Sequence, residues 1–164
     1  MTTGKENVVM DSRTEPRVRL RPAGPDDLEQ LRLWKNANSR WFFFKGEITP
    51  AIQKEWYAAY VKRSDDIMFV VEHDGKKAGV MGYRILQDGR ADVYNIIAAP
   101  GFEKKGLMKA AMLLMCTHLS EMRVKSIGCL VLKGNPAAAY YEACGFRRTG
   151  ADEIHDIFTL EARP

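Results

Sequence analysis

The sequence predicts a layered α/β (α+β) fold: a mixed, mostly antiparallel sheet flanked by helices, in the order β-αα-βββ-α-β-α-β. Three observations lead there. The turn dipeptides Asp74-Gly75 and Asp88-Gly89 divide residues 67–98 into three strand-like runs, an antiparallel meander. Residues 106–121 are apolar around most of a helical circumference, so that helix is largely buried. Two helices with proline in the first turn, at Pro25 and Pro50, lie between a first strand and the meander.

Each element has its own signal. VRLRPA at 18–23 alternates and ends at Pro22. Gly24-Pro25-Asp26-Asp27 opens a helix, with two acids near the positive end of its dipole. Leu28, Leu31 and Trp34 give it an apolar face, and it should fail near Asn36–Asn38. Thr49 caps the second helix. Ile52, Trp56, Ala59 and Tyr60 form its apolar stripe. SIGCLVL at 126–132 reads as a buried strand. Asn135-Pro136 starts a last helix that stops at Gly145, a C′ glycine. FRRTG then reads as a short connection, and DEIHDIFTLE as the final strand.

The chain has 164 residues, 46% hydrophobic and 28% charged. That suits one domain, 18–164, behind a polar flexible tail, 1–17. No run approaches the roughly 18 apolar residues of a membrane span, and the N-terminus has no apolar signal region. The expected setting is cytoplasmic, without a membrane partner. Cys116, Cys129 and Cys144 are scattered in apolar surroundings, and His73, His118 and His155 have no ligand spacing. A disulfide framework or metal site is therefore disfavoured. The net charge of +4 admits an acidic partner. It is too mild to demand nucleic acid, and a phosphate-rich small molecule accounts for it equally well. A homodimer is compatible with this composition.

The segment ADVYNIIAAPGFEKKGLM, 91–108, carries the functional signal. A strand runs into a proline turn, then a basic glycine turn, then the buried helix. Such a helix start presents free N–H groups and a positive dipole end. Gly106 allows close backbone approach, and Lys104 and Lys105 add charge for a pyrophosphate. The segment resembles motif A of the GNAT superfamily of N-acetyltransferases, with Pro100 and Gly106 at the family spacing. Ala98 stands where Val is common, Glu103 replaces Gln or Arg, and Met108 replaces a small residue. G-L-M-K-A-A looks like the turn of the ribosomal-protein-type branch. YEACGF at 141–146 matches the family's Y-E-x-x-G-F, with Asn135 one residue closer to Tyr141 than usual.

The resemblance implies acetyl-CoA as donor. It implies that the backbone of Ile96, Ile97 and Ala98 holds the pantetheine arm. It implies that amides of Glu103, Lys104, Lys105, Gly106, Leu107 and Met108 hold the pyrophosphate. Asn135 is either a coenzyme A contact or only a helix cap. Tyr141 matches the tyrosine that meets the leaving thiolate, a role that suits a phenol. Asp92, where related strands carry glutamate, is the candidate base, acting through water. His155 is the runner-up base. Asn95, polar within an apolar strand, could orient substrate. Leu33-Trp34-Lys35-Asn36 with Ser39-Arg40-Trp41-Phe42 resembles members that modify amino sugars on nucleotides. Arg40 and Lys45 could then meet phosphates, and Trp41, Phe42, Phe43 and Phe44 could stack on a sugar or base, or simply pack the helices. The expected function is acetyl transfer to a primary amine by direct attack. Protein N-terminal acetylation of the ribosomal-protein type is one alternative, and a non-catalytic coenzyme-A- or partner-binding domain is another.

Overall fold

A computed structural model describes residues 4–42 and 45–161. Eight strands form one sheet: β1 (Met10–Asp11), β2 (Arg19–Pro22), β3 (Asp66–His73), β4 (Lys76–Ile85), β5 (Ala91–Ala98), β6 (Ser126–Leu132), β7 (Arg147–Ala151) and β8 (His155–Glu161). Four α-helices flank it: α1 (Leu28–Ala37), α2 (Pro50–Tyr60), α3 (Leu107–Glu121) and α4 (Ala138–Ala143). The spatial order is β1-β2-β3-β4-β5-β6-β8-β7, antiparallel throughout except for β5 with β6.

Local chemistry sets the boundaries. Thr49 Oγ1 accepts the Ile52 N–H at 3.2 Å, and Pro50 fills the first position of α2, where a missing donor costs nothing. Asp74 and Gly75 both take positive φ, 50° and 74°, as the tight hairpin between β3 and β4 requires. Gly145 ends α4 with φ 96°.

The sheet separates two cores. Against one face, α3 packs Leu107, Ala111, Met112, Met115 and Leu119 on Ile67, Phe69 and Val71. Against the other, α1 and α2 set Leu31, Trp34 and Tyr60 on Met68, Val70 and Val80. Strand β3 is thus buried on both faces, which explains its unbroken apolar run.

Two irregularities in β5 create the site. First, it pairs with β6 only at Ala91↔Ile127 and Asp92↔Gly128, and then the two strands diverge. Second, it bulges against β4: Val80 pairs with Ile97 but Gly82 with Tyr94, so β5 spends one extra residue. Asn95 sits at the bulge with φ 53°, a conformation asparagine tolerates better than most residues. The extra residue changes the strand's facing. Ala91 and Val93 join the α3 core, whereas Ile97 and Ala99 join the opposite one. Simple alternation would keep all four on one face.

One expectation needs correction. FRRTG, 146–150, read as a connection, lies almost wholly in β7, a hairpin partner of β8 with Arg148 opposite Phe158. Its side chains are mostly exposed, so no apolar alternation marks it. Within residues 1–17, read as a polar flexible tail, described residues touch the fold. Met10 pairs with Leu20, and Lys5 is buried, donating to the Tyr60 carbonyl at 2.7 Å. No helix among the described residues is long and apolar enough to cross a membrane.

Candidate active site

Where β5 and β6 part, a cavity of about 650 Å³ opens. Its walls are β5 from Asp92 to Ala98 and β6 from Cys129 to Leu132, and α1 and the following turn supply Trp34, Asn38, Trp41 and Phe42. Beyond Asp92, β5 has no strand partner on this side, so its backbone polar groups face the gap. A second cavity of about 310 Å³ adjoins it, sharing Ile96, Ala98, Glu103 and Ala137, and is ringed by Lys104, Lys105, Gly106, Met108 and Lys109. Strand gap and basic turn are therefore two ends of one concavity.

Asp92 lies at the apex of the gap, in a row that crosses four strands: Asp66↔Arg84, Arg84↔Asp92, Asp92↔Gly128. A Cβ on Gly128 would stand 3.2 Å from Asp92 Oδ1, so glycine there leaves the carboxylate its space. Burial raises the Asp92 pKa, and Arg90 and Arg84 pull it back. Asp66 is fully buried; Arg63 holds its Oδ2 at 3.0 Å, and the Tyr94 hydroxyl donates to its Oδ1.

Tyr141, on α4, lines the same cavity and is 7% exposed. Burial lifts its pKa well above the ordinary value, with the Cys129 thiol as a second cause, so the phenol keeps its proton. Phe146 meets its ring edge-on, 5.8 Å between centroids. Tyr140 serves the architecture instead. Its hydroxyl donates to the Met108 carbonyl at 2.9 Å, tying α4 to α3. Cys129 is pushed up to about 12 by burial and stays a thiol.

The basic turn is built from left-handed residues, Gly101 (φ 87°), Lys104 (φ 60°) and Gly106 (φ 75°). Successive amides in such a turn converge on an anion. Glu103 does not point its charge there freely: its Oε2 accepts the Gly101 N–H at 2.8 Å, turning the carboxylate back along the loop. The turn and the unpaired β5 edge fit a pyrophosphate joined to an extended amide arm. Asn135 lines the larger cavity, and its Oδ1 accepts the Ala137 N–H at 2.9 Å, a turn bond just ahead of α4, whose N-cap residue is Ala137 and has no side-chain cap.

Of the residues expected to meet substrate, Asn95, Trp41, Phe42 and His155 all line the larger cavity. His155 Nδ1 stands 3.4 Å from Asp152. Arg40 does not line it; the side chain is exposed and stacks over Trp41, centroid 5.0 Å away. Lys45 turns back to the Arg40 carbonyl at 2.5 Å. Phe43 and Phe44 lie outside the described residues.

Two residues escaped the sequence reading. Lys35 donates to the Asn95 side chain and sits 4.2 Å over the Phe42 ring. Burial lowers its pKa to about 8. Arg84 lines the larger cavity opposite Asp92. A two-residue turn at Asp88-Gly89 would have set Ile85 against Asp92; the observed register sets Arg84 there. Nothing local marks Lys35. Among the described residues no group of three or more His, Cys, Asp or Glu could hold a metal.

Residues 30–146 match the model of the acetyltransferase (GNAT) family. The chain is 29% identical over 146 residues to a spermidine N(1)-acetyltransferase of Escherichia coli K12, covering 86% of this chain and 78% of that protein. Among solved structures, a spermidine N-acetyltransferase of Vibrio cholerae in complex with CoA and spermine aligns with TM-score 0.75 and 22% identity, over 88% of this chain and 95% of that one. FdhC, a nucleotide-linked sugar GNAT, aligns with TM-score 0.74 and 16% identity, over 88% and 86%. Both structures share the fold. The chain thus belongs to the acetyltransferase (GNAT) family, as an acyltransferase whose donor is acetyl-CoA.

Proposed function

We propose that this chain acetylates the primary amine of a small acceptor by direct attack on the thioester, an amino sugar on a nucleotide being the acceptor its sequence pattern favours. One observation carries the reading. The strand gap holds Asp92 and Tyr141 in one cavity, and that cavity runs into the basic turn. Amide groups of 103–108 and Lys104 and Lys105 would hold the pyrophosphate, and the unpaired edge of Ile96–Ala98 the pantetheine arm. Acetyl-CoA supplies an activated acyl carbon and a leaving thiolate.

The chain's own residues manage protons. Asp92 takes the proton of the acceptor ammonium, through water, freeing the nitrogen lone pair. The N–C bond then forms as the C–S bond breaks. Tyr141 donates its hydroxyl hydrogen to the departing sulfur, and the phenolate, made strongly basic by burial, regains a hydrogen from the second proton that the acylated nitrogen releases. Trp34, Trp41 and Phe42 cover the acceptor end and exclude water.

The 29% identical relative supports a second reading, a polyamine acceptor. The test is thiol release from acetyl-CoA against nucleotide-linked amino sugars, polyamines, aminoglycosides and N-terminal peptides. Asp92→Asn should lower turnover and remove the acid limb of its pH profile. An unchanged profile would exclude Asp92 as the base.

A further inference from the structure

We propose that Arg84 reads an anionic group on the acceptor, so that the substrate is an amine with a carboxylate or phosphate a few bonds from the reacting nitrogen. The inference rests on the acetyl-transfer reading above and narrows its acceptor.

Arg84 and Asp92 are directly paired across β4 and β5. Side chains so paired leave one face of the sheet with their Cβ atoms about 5 Å apart. Both line the cavity. Nevertheless, no ion pair within 4.0 Å joins them among the described residues. The contact Arg84 does make is loose, Nη2 to Asp66 Oδ2 at 3.6 Å. Asp66 is satisfied without it, since Arg63 holds the same oxygen at 3.0 Å and Tyr94 donates to the other. Among the described residues the Arg84 guanidinium donates no hydrogen bond, and its side chain is 49% exposed.

A ring fixes its aim. The guanidinium carbon lies 5.0 Å from the Tyr94 centroid, and Tyr94 is itself pinned to Asp66. Five donors in a fixed fork suit a carboxylate or phosphate, and stacking orients them before a ligand arrives. Asp92 meanwhile faces the same space and suits an ammonium. The cavity thus presents one negative and one positive group side by side. Its other carboxylate, Glu103, is bonded to the Gly101 N–H. A bare polyamine needs carboxylates along its length, and this wall offers it a cation instead.

Matched acceptor pairs test this: an amino sugar with its 1-phosphate, an amino acid with its decarboxylated amine, and spermidine alongside. The expected result is a kcat/KM at least tenfold higher for the anionic member of at least one pair, carried by KM. Arg84→Gln should collapse that ratio toward one, and Arg84→Lys should restore part of it. Thermal shift with coenzyme A reports on the fold and donor site of each variant. A wild type that prefers spermidine or the neutral members overturns the assignment while leaving acetyl transfer intact. So does an Arg84→Gln variant that binds coenzyme A and loses neutral and anionic substrates equally. Acetylation of no amine at all would refute the acetyl-transfer reading itself and Arg84's role with it.

Discussion

Replacing Lys35 by methionine should stabilise the protein at neutral pH, and the size of the gain follows from its surroundings. Lys35 shares a small cavity with Leu31, Ile48, Ile52 and Trp56, where Asn95 and Gln53 are the other polar residues, and its ammonium meets Asn95 and the Phe42 ring. Burial lowers its pKa from 10.5 to about 8. Each pKa unit is worth about 1.4 kcal/mol, so holding the charge there costs about 3 kcal/mol. Methionine has similar length and no charge. Losing the bond to Asn95 and the Phe42 contact gives back about 1–2 kcal/mol. A net gain of about 1–2 kcal/mol remains, or roughly 2–8 °C in Tm for a domain of this size. The sign depends on pH. The folded pKa lies below the unfolded one, so the penalty is fully present below pH about 8. It fades as pH rises toward 10.5, the unfolded value. Denaturant melts of both proteins across this window should show their stabilities converging. No gain at neutral pH, or a difference that ignores pH, would refute the reasoning.

Two further outcomes follow from the site. Tyr141→Phe should lower kcat about tenfold to a hundredfold, with coenzyme A affinity by calorimetry nearly unchanged; equal turnover removes Tyr141 from the mechanism. Glu103→Gln keeps a carbonyl for the Gly101 N–H but removes a charge beside the phosphate turn, so coenzyme A should bind a few-fold tighter, more so at low salt. Weaker binding would mean that the carboxylate orders the turn in a way an amide cannot.

Much of this was readable in one dimension. Turn dipeptides, proline-started helices and the buried run of α3 fixed their elements, because each rests on local chemistry. The family resemblance pointed to the basic turn and to Asp92 and Tyr141, and these line the two adjoining cavities. What the sequence hid was set by tertiary geometry. Arg84 looks like any exposed strand arginine until cross-strand register sets it against Asp92. Lys35 belongs to a helix whose polar face should be wet, yet Asn95 of another element receives it. Arg40, read with Lys45 as able to meet phosphates, is exposed and lies over Trp41 without lining the larger cavity. β7 stayed invisible because an exposed edge strand needs no apolar pattern.

The bulge at Asn95 has an implication for how such a chain can vary. The flanking pairs Val80↔Ile97 and Gly82↔Tyr94 are those of a regular strand one residue shorter. Deletion of the Asn95 codon would therefore absorb the bulge and leave Ile97 and Ala99 facing the core they face now. What it would remove is the left-handed residue that receives Lys35 from the neighbouring helical layer. The facing of the strand can outlive the bulge, whereas this polar tie between layers cannot.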